Sequence, residues 1–149
     1  MDANGNTFNP SNAEQAIARV TSIGVLDTSF GGGDGLALAG SPGGNRDDDA
    51  RSIAIDASGR IAVAGGTAFG NASNNGPRST MVARWTADGV LDTSFDGDGV
   101  LILDLTQAGG DDFGIDVAFD GNGKLMVLGV QSDDPAIARL LEKDRKSVV

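Results

Sequence analysis

The 149-residue sequence predicts an all-β protein built from four-stranded antiparallel units, and three observations predict it. The phrase GVLDTSF stands at 24–30 and again, letter for letter, at 89–95. A longer stretch, IAIDASGRIAVAGG at 53–66, returns in pattern as VAFDGNGKLMVLGV at 117–130. Both consist of short apolar runs bounded by Gly, Asp and Asn, which favour strands over helices. Repetition at a period of this size is the mark of a fold built from repeated units.

The elements follow in order. AIAR at 16–19 recurs as MVAR at 81–84 and AIAR at 136–139, spaced by 65 residues from Arg19 to Arg84 and by 55 from Arg84 to Arg139. The difference fits insertions, chiefly the polar stretch at 69–78. In RIAVAGG, Ile61 and Val63 alternate with Ala62 and Ala64, the period of a strand. The spacers DASG before Arg60 and DGNG before Lys124 put Asp first and Gly last between apolar runs, which is the chemistry of a tight hairpin. Residues 51–56 therefore pair with 60–66, and 114–120 with 124–130. Two more strands, 79–86 and 99–105, complete a unit of four, one blade of a β-propeller.

The last two strands of a preceding blade fall at about 14–20 and 35–39, and the first three of a following blade end near 140. The expectation is nine strands, about two and a quarter blades: a disordered lead at 1–13, a half blade at 14–40, a complete blade at 51–105, a partial blade at 114–140 and a non-native-looking tail at 141–149. Small apolar residues on both faces of the strands suit sheets stacked between neighbours. DRKSVV at 144–149 is what one frame of a common sequencing adapter encodes, so these six residues read as an assembly artefact in a truncated frame. The start, MDANGNTFNPSNAE, lacks the basic and then apolar regions of a secretory signal.

The repeated LDTSF phrase reads as structural. Leu and Phe stand four apart, so a single helical turn brings both to one side, to plug the gap between blades. Asp27 and Asp92 accept hydrogen bonds from amides two or three residues on. Arg19 precedes Asp27 by eight residues and Arg84 precedes Asp92 by eight, which predicts two partly buried ion pairs. The structural residues expected are thus Arg19, Asp27, Phe30, Arg84, Asp92 and Phe95.

ARWTADGVLDTSFDGDGV at 83–100, followed by DVAFDGNGKLMVLG at 116–129, resembles the delta-60 repeat family, a bacterial repeat assigned to β-propellers. The resemblance runs over about residues 14–140, with GGGDG at 31–35 departing from the tighter DGDG at 96–99. It implies a large secreted or cell-surface bacterial protein with tandem repeats, and supplies no catalytic residue.

Composition narrows the function classes. With 21 acidic residues, 11 basic ones and no histidine, the net charge of -10 repels phosphate backbones and anionic membranes, so neither nucleic acid nor membrane insertion is expected. No apolar run approaches the length of a membrane-spanning helix. The absence of Cys and His removes thiolate nucleophiles, sulfur-ligated zinc and the usual general base. Ser29 and Ser94 therefore lack an activating base, and the glycines lack the strand, turn and helix of a dinucleotide site. No catalytic residue, cofactor or metal ligand is assigned.

Asp92, Ser94, Asp96 and Gly97 open like a calcium loop, but its twelfth position is Leu103, and Gly31 replaces Asp96 in the first copy. The acid pairs Asp47 with Asp48 and Asp111 with Asp112 precede equivalent strands and read as solvated loops. Asn71, in NAS, is a formal glycosylation acceptor. The expected function is a non-enzymatic propeller segment, a scaffold or interaction module of an extracellular or cell-surface protein. Its partners would be the remaining blades of the full-length protein, other proteins or a surface polysaccharide. The alternative is a calcium-dependent carbohydrate-binding module.

Overall fold

A computed structural model describes residues 14–42, 47–68, 77–105, 110–131, 134–140 and 146–148. The lead at 1–13, most of the 69–78 loop with Asn71, and the tail residues 141–145 lie outside the described residues.

The chain is all-β, and its antiparallel sheets are partial propeller blades. Sheet 1 has two strands, β1 (Gln15–Ala18) and β2 (Leu36–Ala39). Sheet 2 runs β3 (Ser52–Ile55), β4 (Ile61–Ala68), β5 (Arg78–Trp85) and β6 (Val100–Leu103), each paired with the next in the chain. Sheet 3 repeats that order with β7 (Asp112–Phe119), β8 (Leu125–Gln131), β9 (Asp134–Leu140) and β10 (Lys146–Val148). The described residues thus form ten strands rather than nine. Lys146–Val148 returns to pair with β9, Ser147 opposite Arg139, occupying the edge that β6 occupies in sheet 2.

Hairpin chemistry sets the register. Asp56 Oδ1 accepts the amides of Ser58 and Arg60 at 2.9 Å each, and Asp120 Oδ1 accepts those of Asn122 and Lys124 at 2.8 and 2.9 Å. Gly59 and Gly123 close these turns at φ +82° and +77°, a region where a side chain is strained. The turns hold Ile55 opposite Ile61 and Phe119 opposite Leu125.

The sheets stack face to face, with sheet 2 in the middle. Its first face meets sheet 1 through Ile61, Val63, Met81, Ala83 and Trp85 against Ile17, Ala37 and Ala39. Its second face meets sheet 3 through Ala62, Ala64, Val82 and Leu101 against Val117, Leu125, Val127 and Ala138. Every residue of β4 is buried as a result, whereas β1 and β2 alternate buried with exposed. Backbones approach closely between sheets 2 and 3, where a Cβ on Gly114 would lie 2.9 Å from the Gly65 carbonyl oxygen. Glycine is what that spacing admits.

Candidate functional site

The repeated phrase forms the same constellation twice. Asp92 N–H donates to the Arg84 carbonyl at 2.9 Å, and Phe95 N–H returns to the Asp92 carbonyl at 2.9 Å, closing one tight turn. Asp92 Oδ1 accepts from the Ser94 amide at 3.1 Å and from the Ser94 hydroxyl at 2.6 Å. Its other oxygen, Oδ2, accepts from Arg84 Nε at 2.8 Å, while a second guanidinium nitrogen donates to Ser94 Oγ at 3.0 Å. The guanidinium carbon lies 4.7 Å from the centre of the Phe95 ring, within cation–π range.

The first copy is nearly superimposable in its contacts. Arg19 Nε donates to Asp27 Oδ2 at 2.9 Å, a second Arg19 nitrogen to Ser29 Oγ at 3.0 Å, and the Phe30 ring lies 4.7 Å below. Ser29 donates its amide and hydroxyl to Asp27 Oδ1 at 3.0 and 2.6 Å. All six residues singled out in the sequence are therefore brought together, in two groups of three. Phe30 sits in the core between sheets 1 and 2, and Phe95 in that between sheets 2 and 3.

The two copies differ in depth. The Arg84 and Asp92 side chains are 9% and 13% exposed, against 37% and 29% for Arg19 and Asp27. The first copy also reaches the neighbouring sheet: Arg19 donates to the Ala87 carbonyl and the Gly31 amide to the Asp88 carbonyl, both at 2.9 Å. A Cβ on Gly89 would strike the Phe30 ring at 2.8 Å, so the phrase of one sheet is seated on the TADG turn of the next.

Leu and Phe do not share a side as expected from a four-residue spacing. Leu26 is 43% exposed and bridges back to Val20, and Leu91 is half-buried and bridges to Trp85. A lone turn directs Leu into that bridge, so that Leu91 packs against the core between sheets 1 and 2 while Phe95 enters the one between sheets 2 and 3.

Asp48 and Asp112 are a second correction. They are 6% and 1% exposed, not solvated. Asp48 accepts the Ser41 amide at 2.7 Å and Asp112 the Leu105 amide at 2.6 Å, each from the residue seven positions earlier. Both carboxylates thus satisfy a backbone donor where the chain leaves the last strand of one sheet for the first strand of the next. Asp111 is exposed and accepts the Arg78 amide at 2.9 Å.

Sheet 3 solves the same charge problem differently. Asp56 Oδ2 accepts from Arg60 at 2.6 Å, but the equivalent of Arg60 is Lys124, and Asp120 Oδ2 accepts instead from Arg139 at 2.7 Å. Arg139 occupies the position of Arg84, whose own partner is the phrase aspartate. Among the described residues no group of three or more His, Cys, Asp or Glu is arranged to hold a metal ion.

Electrostatics follow from these contacts. At Asp92, burial pushes the carboxyl up, but the Ser94 hydroxyl and amide together with the Arg84 guanidinium more than offset it, and the net shift is downward. At Asp27 the Ser29 hydroxyl and amide lower it first, with Arg19 adding to them against a smaller effect of burial. Asp56, Asp116 and Asp120 are lowered as well. A carboxylate held below its unfolded value of about 3.8 contributes stability above that pH, and the contribution is lost as pH falls through the folded value. The melting temperature is therefore expected to hold between pH 7 and pH 5 and to fall below about pH 4. The fall should be shallower in Asp92→Asn, as followed by circular dichroism.

Among curated proteins, none matches the chain. Residues 57–95, which run from the β3–β4 turn through the second copy of the phrase to Phe95, match the family model described as "Domain of unknown function (DUF5122) beta-propeller", in keeping with a delta-60-like β-propeller repeat.

Proposed function

We propose that the chain is a non-enzymatic β-propeller segment, a scaffold or protein-interaction module of a secreted or cell-surface bacterial protein. One observation carries this reading: the recurring charged and polar residues are engaged with one another, in the turn that places Phe30 or Phe95 between sheets. Asp92 has both oxygens engaged by Arg84 and Ser94, and Arg84 also donates to the Ser94 hydroxyl oxygen. A motif kept to position Phe95 between sheets is a fold device, with partner recognition left to the connecting loops. The partners in this reading are further blades of a longer chain, with other proteins or a surface polysaccharide at the loops, and not nucleic acid or a lipid bilayer.

Calcium titration followed by thermal melting tests it. The expected result is no change in melting temperature at millimolar calcium, because the Asp92 carboxylate is already engaged by Arg84 and Ser94. A rise of several degrees would contradict the scaffold reading and favour a calcium-dependent carbohydrate module.

A further inference from the structure

The contact between sheets 1 and 2 is apolar along most of its length and polar at one end. Strand alternation puts Gln15 on the face of Ile17 and Ser41 on that of Ala37 and Ala39, both turned toward sheet 2. Thr67 shares the face of Ile61 and Val63, turned toward sheet 1, and Asp48 is its cross-strand partner on that face. All four are buried, Ser41 being the most exposed of them at 7%. They meet as one layer. The Thr67 hydroxyl donates to Ser41 Oγ at 3.1 Å, the Ser41 amide to Asp48 Oδ2 at 2.7 Å, and Gln15 Nε2 to the carbonyl of Asp49, next in the chain to Asp48, at 2.8 Å.

The layer is rich in acceptors and short of positive charge. Among the described residues, Asp48 Oδ1 and Gln15 Oε1 are buried without a hydrogen-bond partner, and no arginine or lysine pairs with the Asp48 carboxylate. Asp49 shows the contrast. Its carboxylate lies beside Gly66, on the side of sheet 3, where it accepts the Gly66 amide at 2.6 Å and pairs with Arg51 and Arg78 at 3.1 and 3.6 Å. A buried carboxylate is tolerated when it is paired or holds a cation. We propose that a monovalent alkali cation, sodium or potassium, binds in this layer, held by Asp48 Oδ1 and Gln15 Oε1 with the Ser41 and Thr67 hydroxyl oxygens beside them. Oxygen donors of this kind suit a hard cation. One carboxylate balances one positive charge, whereas a divalent ion would leave an excess charge buried. The corresponding layer between sheets 2 and 3 has the core residue Leu105 in the place of Ser41, so the oxygen set is complete only at the first contact.

Thermal melting tests the site, with the protein in sodium, potassium or choline chloride at one concentration of about 0.15 M, so that screening is the same in all three. Choline carries the same charge but is too large to enter a buried layer. The wild type is expected to melt about 3–6 °C higher in sodium or potassium than in choline, the shift for a site at about ten times its Kd. Asp48→Asn removes the charge and brings a donor of its own, so it is expected to melt alike in the three salts. Thr67→Val keeps the charge and the shape but drops one oxygen, and its advantage in the preferred salt is expected to be smaller than that of the wild type. A wild type that melts at one temperature in all three salts overturns the proposal. An Asp48→Asn protein that keeps the full difference overturns it too, since the ion then sits elsewhere, and if that variant does not fold, an undiminished difference in Thr67→Val does the same. The inference rests on the contact between sheets and not on the scaffold role. The three salts are compared without calcium, so a calcium response would overturn that role while leaving this site untouched.

Discussion

Trp85→Ala lowers the unfolding free energy by about 3–5 kcal/mol, the range for truncating a large buried aromatic. Trp85 is fully buried, in the cluster shared by sheets 1 and 2 with Phe30, Ile61 and Ile17. Removing the indole leaves a cavity in the cluster shared by sheets 1 and 2 and loosens the contact through which one sheet is seated on the next. The same position is Leu140 in sheet 3, also buried, so Trp85→Leu is expected to cost clearly less than Trp85→Ala. Among the described residues the indole N–H has no hydrogen-bond partner, and burying an unmatched donor is unfavourable. Trp85→Phe should for that reason lie close to wild type, losing ring area but also the unmatched donor. Urea unfolding followed by far-UV circular dichroism ranks the three; equal losses for Phe and Ala would argue against a packing role.

Arg84→Ala costs about 3 kcal/mol, at the lower end for breaking a buried pair by removing one partner. It leaves the Asp92 carboxylate, 13% exposed, with Ser94 to meet it and its guanidinium partner gone. Arg84→Lys is expected to recover little, because a single ammonium cannot reach Asp92 and Ser94 at once while lying flat on Phe95. The equivalent Arg19→Ala should cost measurably less, since the Arg19 side chain is 37% exposed and water screens that pair. A double-mutant cycle between Arg84 and Asp92 isolates the coupling. Equal costs at Arg19 and Arg84 would show that depth of burial does not set the energy of this motif.

Local features were the legible ones. The DASG and DGNG turns follow from an aspartate oxygen reaching amides two and four residues on and a glycine with positive φ, interactions that need no knowledge of the rest of the fold. The Arg–Asp pairs were legible because the spacing of eight occurs twice, and Ser29 and Ser94 carried the same signal, being part of the letter-for-letter repeat. Asp48 and Asp112 were not legible. Their partner amides lie across the connection from one sheet to the next, and their burial depends on how sheets stack, which no window along the chain reports. Leu26 and Leu91 misled because the four-residue rule belongs to a continuing helix, whereas this turn ends after one hydrogen bond and sends Leu back to bridge Val20 or Trp85.

Hydrogen–deuterium exchange resolved by residue tests the central claim most directly, namely that the middle sheet is buried on both faces by its two neighbours. The amides of Ile61–Ala64 and Met81–Trp85 are expected to be the slowest in the chain, exchanging only on global unfolding, with those of Ser52–Ile55 at the sheet edge markedly faster. Exchange in β4 as fast as in β3 would contradict the stacked arrangement.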